Sequence, residues 1–202
     1  MEILKNISED EVTAIILNYN MHSSRFRNEL KKLLQEHGLD EKIVTDPDLK
    51  NDSENAIRKR FIQSLDGSGV GGYLGKNFPN DVVWKKAQLS KEDLQKIKYI
   101  DYSYWNELTN NTRLVSDGAE SIKKGVVIFN ESNQRFWDAF EALKQGEKFP
   151  APILVSQNST SDLVVIDGHL RLTVYLLDAG YTPNKVEVII GYSENFLSWD
   201  LY

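Results

Sequence analysis

The chain has 202 residues, a formal net charge of −6 and no cysteine. That length holds one large domain, or a domain with an appended helical lobe, and lets the chain bury roughly 70% of the surface it exposes when unfolded. The missing cysteines exclude disulfides, thiolate zinc sites and cysteine nucleophiles together. The acidic balance disfavours nucleic acid as a partner, because duplex-binding domains carry a basic face.

In chain order, the first third reads as helical. Ser8-Glu9-Asp10-Glu11 has the form of a capping box, and Val12, Ile15, Ile16 and Tyr19 follow at helical spacing. A second helix is expected over Ser23 to His37, stopped by Gly38, and a third around Ile57, Phe61 and Leu65. Arg58-Lys59-Arg60 and Lys85-Lys86 are local basic clusters and read as solvated faces. The stretch at 66–75 is rich in glycine and contains a formal GxGxxG. A helix precedes it, and no strand leads into it, so it reads as a mobile loop and not as a dinucleotide fingerprint.

Ser90-Lys91-Glu92-Asp93 opens a short helix, and Lys98 to Tyr102 alternates like a strand. Ser116 to Lys124 is helical, with Gly125 as its stop. Val126-Val127-Ile128-Phe129 is a strand candidate. Phe136, Phe140 and Leu143 mark a helix that ends near Gly146. Two apolar runs, Ile153 to Val155 and Leu163 to Ile166, make a hairpin or two neighbouring strands across a polar turn, and Val186 to Ile190 is a further buried strand. An aromatic tail closes the chain with Tyr192, Phe196, Trp199 and Tyr202. No apolar run reaches the ~18 residues of a membrane span. The charged start lacks the apolar core of a secretion signal, so the expected location is the cytoplasm.

The segment 163–180 carries the chemistry. After Asp167-Gly168 the sequence fits a strand, with Leu170, Leu172, Val174 and Leu176 alternating. It also fits a helix, with Leu170, Thr173, Val174 and Leu177 on one face and Gly180 as its stop. Periodicity alone leaves both readings open. Under the helix reading, Gly168 allows close approach to the backbone and Arg171 offers a planar fork to a phosphate or carboxylate. Asp167 can act as a base or hold a cation, and His169 can donate to phosphate or shuttle a proton. The plainer roles are a cap for Asp167, a packed ring for His169 and an ion pair for Arg171. His22 and His37 sit on polar helices. Three scattered histidines give no metal-ligand spacing.

Together these residues resemble the ParB/sulfiredoxin-like superfamily over roughly 98–192. The resemblance is carried by Pro152 to Val155, the run Leu163 to Leu172 with its G-x-x-R at Gly168 to Arg171, Ala179-Gly180, and Val186-Glu187-Val188. Thr112-Arg113 and Ser121 to Gly125 are similar to the upstream part of that pattern. The resemblance implies an α+β fold. The C-terminal half, 96–202, would be a ParB/sulfiredoxin-like mixed sheet with helices, preceded by a helical N-terminal region over 1–95 with its Gly-rich loop. It favours the helix reading of the turn. It implies a nucleoside di- or triphosphate with Mg²⁺ as ligand. Gly168, Leu170, Arg171 and Arg113 would hold the phosphates, and Asp167 and His169 would be the catalytic pair. ParB proteins use this pocket for cytidine triphosphate, and free serine kinases with a D-G-H turn use it to transfer phosphate. Sulfiredoxin chemistry needs a cysteine that this chain lacks.

Two function classes therefore stand: a nucleotide-dependent phosphotransferase or hydrolase, and a non-enzymatic module that binds a nucleotide, nucleic acid or protein, with the helical N-terminal lobe and the aromatic tail as its partner surface. A fold does not choose between them.

Overall fold

The computed structural model describes residues 1–23, 25–65 and 77–202, so the Gly-rich stretch at 66–75 lies outside the described residues. The chain divides into two compact units. One joins Met1–Asn6 to Pro79–Tyr202, and the other is Ile7–Phe78.

The 7–78 unit holds α1 (Glu9–His22), α2 (Arg27–Glu36), α3 (Lys42–Thr45) and α4 (Asp52–Ser64). Ser8 caps α1 by accepting from the Glu11 N–H at 3.0 Å, and Asn51 caps α4 by accepting from the Glu54 N–H at 3.2 Å. Each satisfies one of the donors that a helix start leaves unpaired. Val12, Ile16, Leu17 and Met21 of α1, Leu30 and Leu34 of α2, and Phe61 and Ile62 of α4 form the core.

Arg58 corrects the reading of its basic cluster as a solvated face. It is fully buried, while Lys59 pairs with Glu9 and Asp10. Three consecutive basic residues on a helix cannot share one face, and here one of them points inward.

The other unit is built on a six-stranded mixed sheet in the order β1-β2-β6-β4-β5-β3. Its strands are β1 (Glu2–Ile7), β2 (Val83–Ser90), β3 (Lys98–Tyr99), β4 (Ile153–Ser156), β5 (Val164–Asp167) and β6 (Lys185–Tyr192). β2 runs antiparallel to β6, β6 parallel to β4, β4 antiparallel to β5, and β5 parallel to β3. β4, β5 as far as Ile166, and residues 188–191 of β6 are buried and nearly all apolar, as strands covered on both faces are, whereas β6 begins in alternation with Lys185 and Glu187 exposed.

The helices of this unit are α5 (Lys91–Leu94), α6 (Ser103–Leu108), α7 (Val115–Lys123), α8 (Gln134–Lys144) and α9 (His169–Tyr175), followed by a 3₁₀ turn at Glu194–Ser198. α5 begins with a full capping box between Ser90 and Asp93. α9 packs on α7 and α8.

Three sequence expectations change. The first is the division at residue 95: β1 and β2 both belong to the sheet, because β2 is zipped to β6 over eight residue pairs. The second is the strand at Val126 to Phe129. That segment is irregular, with Phe129 and Asn130 both in the left-handed region and Val127 and Phe129 exposed. The third is the aromatic tail, which packs inward. Phe196 and Trp199 are buried, and the Tyr202 hydroxyl donates to the Asp162 carbonyl at 2.9 Å. It does not form an open partner surface. No helix among the described residues is long and apolar enough to cross a membrane.

Candidate functional site

The sheet aims the site through a local irregularity. Ile153 of β4 pairs with Asp167, but Leu154 pairs with Val165, which leaves Ile166 as an extra residue on β5. Such a bulge re-aims the side chains beside it. Asp167 then ends the strand, and the chain turns through Gly168 into α9, so the helix reading of this segment holds.

Gly168 has φ +95°, a conformation that disfavours any side chain. A Cβ there would lie 2.8 Å from Arg171 Nη2, 2.9 Å from Arg171 Nε and 2.9 Å from Pro152 Cβ. The guanidinium therefore lies directly over the turn, where only glycine leaves room for it. Gly168→Ala is expected to lower stability by about 1–3 kcal/mol, from backbone strain and this crowding. Urea denaturation checks it, and an unchanged midpoint would mean that the turn gives way freely.

Arg171 Nη2 donates to Asp167 Oδ2 at 2.5 Å, with both side chains largely shielded. Asp167 is thus an ion-pair partner and not the cap of α9, whose N-cap residue is Gly168. Arg171 Nε is buried and has no hydrogen-bond partner among the described residues.

His169 lies in a stack of rings. Trp105 is nearly parallel to it at 5.2 Å between centroids, Tyr99 stacks on Trp105 at 4.1 Å, and Tyr104 meets Trp105 edge-on at 4.8 Å. The Tyr99 hydroxyl and Thr173 Oγ1 are 2.6 Å apart, and Thr173 Oγ1 donates to the His169 carbonyl at 2.7 Å. Burial in this stack pushes the His169 pKa down to about 4. Arg171 and Arg135 add to the depression, while Asp167 and the Val165 backbone oppose it. His169 is accordingly neutral at neutral pH. A group with that pKa is poorly matched to proton transfer near pH 7, and it adds no positive charge to hold a phosphate.

Leu170 sits half-buried on α9 beside these groups. Arg113 is not brought to them. Its Nε donates to the Tyr99 carbonyl at 3.0 Å, Nη1 to the Tyr202 carbonyl at 2.9 Å and Nη2 to the Leu201 carbonyl at 3.4 Å. Its fork ties the last residues to β3. Burial lowers its pKa from the ordinary arginine value.

The structure adds Tyr99, Tyr104, Trp105 and Arg135 to the neighbourhood, none of which the sequence reading singled out. The one sequence signal was the dense aromatic run Tyr102-Ser103-Tyr104-Trp105. Among the described residues no group of three or more His, Asp or Glu is placed to hold a metal ion. Asp167, the acid of the turn, is already engaged by Arg171. The chemistry on offer is therefore guanidinium recognition of an anion beside a neutral aromatic wall. Comparison with protein-family models, with curated proteins and with solved structures finds no match for this chain.

Proposed function

We propose that this protein binds a phosphate-bearing ligand, of the class of nucleoside di- or triphosphates, in the cytoplasm, and that the Asp167–Arg171 turn receives the phosphoryl group. The observation that carries this reading is the Arg171 guanidinium, laid over a glycine that leaves it room, with a buried Nε that has no hydrogen-bond partner among the described residues. A buried guanidinium N–H left without an acceptor is costly even when another arm of the group is ion-paired, and a phosphate oxygen can supply that acceptor. The proposal includes a ParB/sulfiredoxin-like architecture over roughly 98–192, the span of the resemblance, within the larger unit that also holds β1 and β2. The β4–β5 pair leading through Gly168 to Arg171 into α9, with β6 beside β4, supports it.

Binding without turnover is the preferred form of this proposal. His169 is neutral and stacked, and Asp167 is held in an ion pair, so neither is set up as an acid or base at neutral pH. A nucleic-acid partner draws less support, since Arg58 is interior and Lys59 is paired with acids.

The test is a thermal-shift series with ATP, ADP, CTP and GTP, with and without Mg²⁺, on wild type and Arg171→Ala. A ligand at 100 times its dissociation constant should stabilise the fold by about 2.7 kcal/mol. The expected result is a rise in Tm with at least one nucleotide that Arg171→Ala removes. A folded wild type that responds to none of them would overturn the reading.

A further inference from the structure

The family resemblance implied Arg113 as a second phosphate arm, but its fork is spent on backbone carbonyls. A different arginine is better placed. Arg135 opens α8, and its guanidinium is exposed, 5.8 Å above the Tyr104 ring and 5.1 Å above the Phe136 ring. Those rings hold the side chain in place, and no carboxylate is paired with it among the described residues.

A continuous series of ring contacts then leads from Arg135 to the turn. Tyr104 lies under Arg135, Trp105 meets Tyr104 edge-on at 4.8 Å, and His169 stacks on Trp105 at 5.2 Å. The electrostatic effect of Arg135 on His169 fits the same placement. A second, independent observation points to a ligand. Tyr104 is 7% exposed, and its buried hydroxyl has no hydrogen-bond partner among the described residues. Unpaired buried hydroxyls are uncommon, and each calls for an explanation such as a bound group.

We propose that Arg135 and Arg171 grip one phosphoryl group between α8 and α9, with the Tyr104 hydroxyl as an added donor. This rests on the anion reading of the Asp167–Arg171 turn. Two guanidinium forks on separate helices suit a tetrahedral group with three free oxygens. A planar carboxylate is satisfied by a single fork. The geometry asks for a terminal phosphoryl group, and with the nucleoside di- or triphosphate of the proposed function that group is the end of a phosphate chain, whether carried by a nucleotide or free.

The experiment is calorimetric titration of the full chain with pyrophosphate, with ADP and with malonate. The proteins compared are wild type, Arg135→Ala, Arg135→Lys, Arg171→Ala and Lys144→Ala, the last an exposed control on the same helix. Binding of both phosphate probes is expected to weaken roughly 10- to 100-fold in each arginine-to-alanine variant. Arg135→Lys should recover part of the loss, because it keeps the charge but not the fork. Lys144→Ala and malonate should show, respectively, no loss and no tight binding. Tighter binding of ADP than pyrophosphate would identify a nucleotide as the source of the diphosphate, and equal binding a free polyphosphate. Loss in Arg171→Ala with none in Arg135→Ala would overturn the second arm and leave the turn standing. Wild-type binding that neither variant disturbs, or no binding at all, would overturn both.

Discussion

Arg58→Ala is expected to cost about 3–5 kcal/mol, a large share of the 5–15 kcal/mol that holds a domain of ordinary stability. The side chain is completely buried. Nη1 donates to the Ile43 carbonyl at 2.9 Å and to Glu54 Oε2 at 3.1 Å. Nη2 donates to the Asp48 carbonyl at 2.9 Å and to Asn55 Oδ1. One planar fork thus ties the 43–48 segment to α4. Truncation would leave two carbonyls, an amide oxygen and a carboxylate without their donor. Arg58→Lys should be nearly as damaging, since an ammonium on one carbon stem cannot span the same acceptors. The measurement is urea denaturation followed by far-ultraviolet circular dichroism. The four tryptophans, at 84, 105, 137 and 199, all lie outside 7–78, so their fluorescence reports the sheet unit separately. A loss below about 1 kcal/mol, the scale of an exposed pair, would show that the fork is dispensable.

Acidification should weaken the protein through His169. Its folded pKa of about 4 lies below the ordinary histidine value of 6.5, so the unfolded chain takes up the proton first. The stability tied to the neutral ring is complete above pH 6.5. It declines as the pH falls from there and is fully lost below about 4. A shift of this size corresponds to about 3 kcal/mol. His169→Phe keeps a flat ring for Trp105 to stack on but removes the titration. The difference between wild type and variant isolates His169 from the carboxylates that titrate in the same range. Equal pH slopes for the two proteins, or a ring titrating near 6.5 by nuclear magnetic resonance, would refute the buried neutral imidazole.

Parts of the fold were legible because their signals are local. Ser8 and Ser90 announce helix starts through side chains that reach three residues ahead. Ile153 to Val155, Val164 to Ile166 and Val188 to Ile190 are buried on both faces of the sheet, and that shows as short unbroken runs of Val, Ile and Leu. β1 was missed because it lies at the sheet edge. Its residues from Glu2 to Asn6 are all exposed, so no burial pattern shaped them. Val126 to Phe129 misled for the opposite reason, being β-branched and aromatic residues in a loop held partly by Asn133 Nδ2 donating to the Val126 carbonyl at 2.7 Å.

The candidate site divides along the same line. Asp167, Gly168 and Arg171 lie within one turn, and the sequence brings them together unaided. Tyr99 and Trp105 come to His169 from more than 60 residues away in the chain. No local periodicity records a meeting of that kind. The neutral state of His169 follows from those rings, and its role could not be read before they were placed.

The position of β6 bears on how the molecule is made. It lies between β2 and β4, yet it is synthesised after every other strand. Its ladder with β2 joins residues 83–90 to 185–192 across about a hundred intervening residues, which are the long-range contacts that slow folding. A growing chain therefore holds β2 and β4 with the strand between them missing, and their unpaired edges are open to other chains. Unit 7–78 draws its contacts from nearby sequence and can fold while the rest emerges. A lower expression level or a lower growth temperature should then raise the yield of soluble protein, by making encounters between chains rarer while β6 has yet to reach its slot.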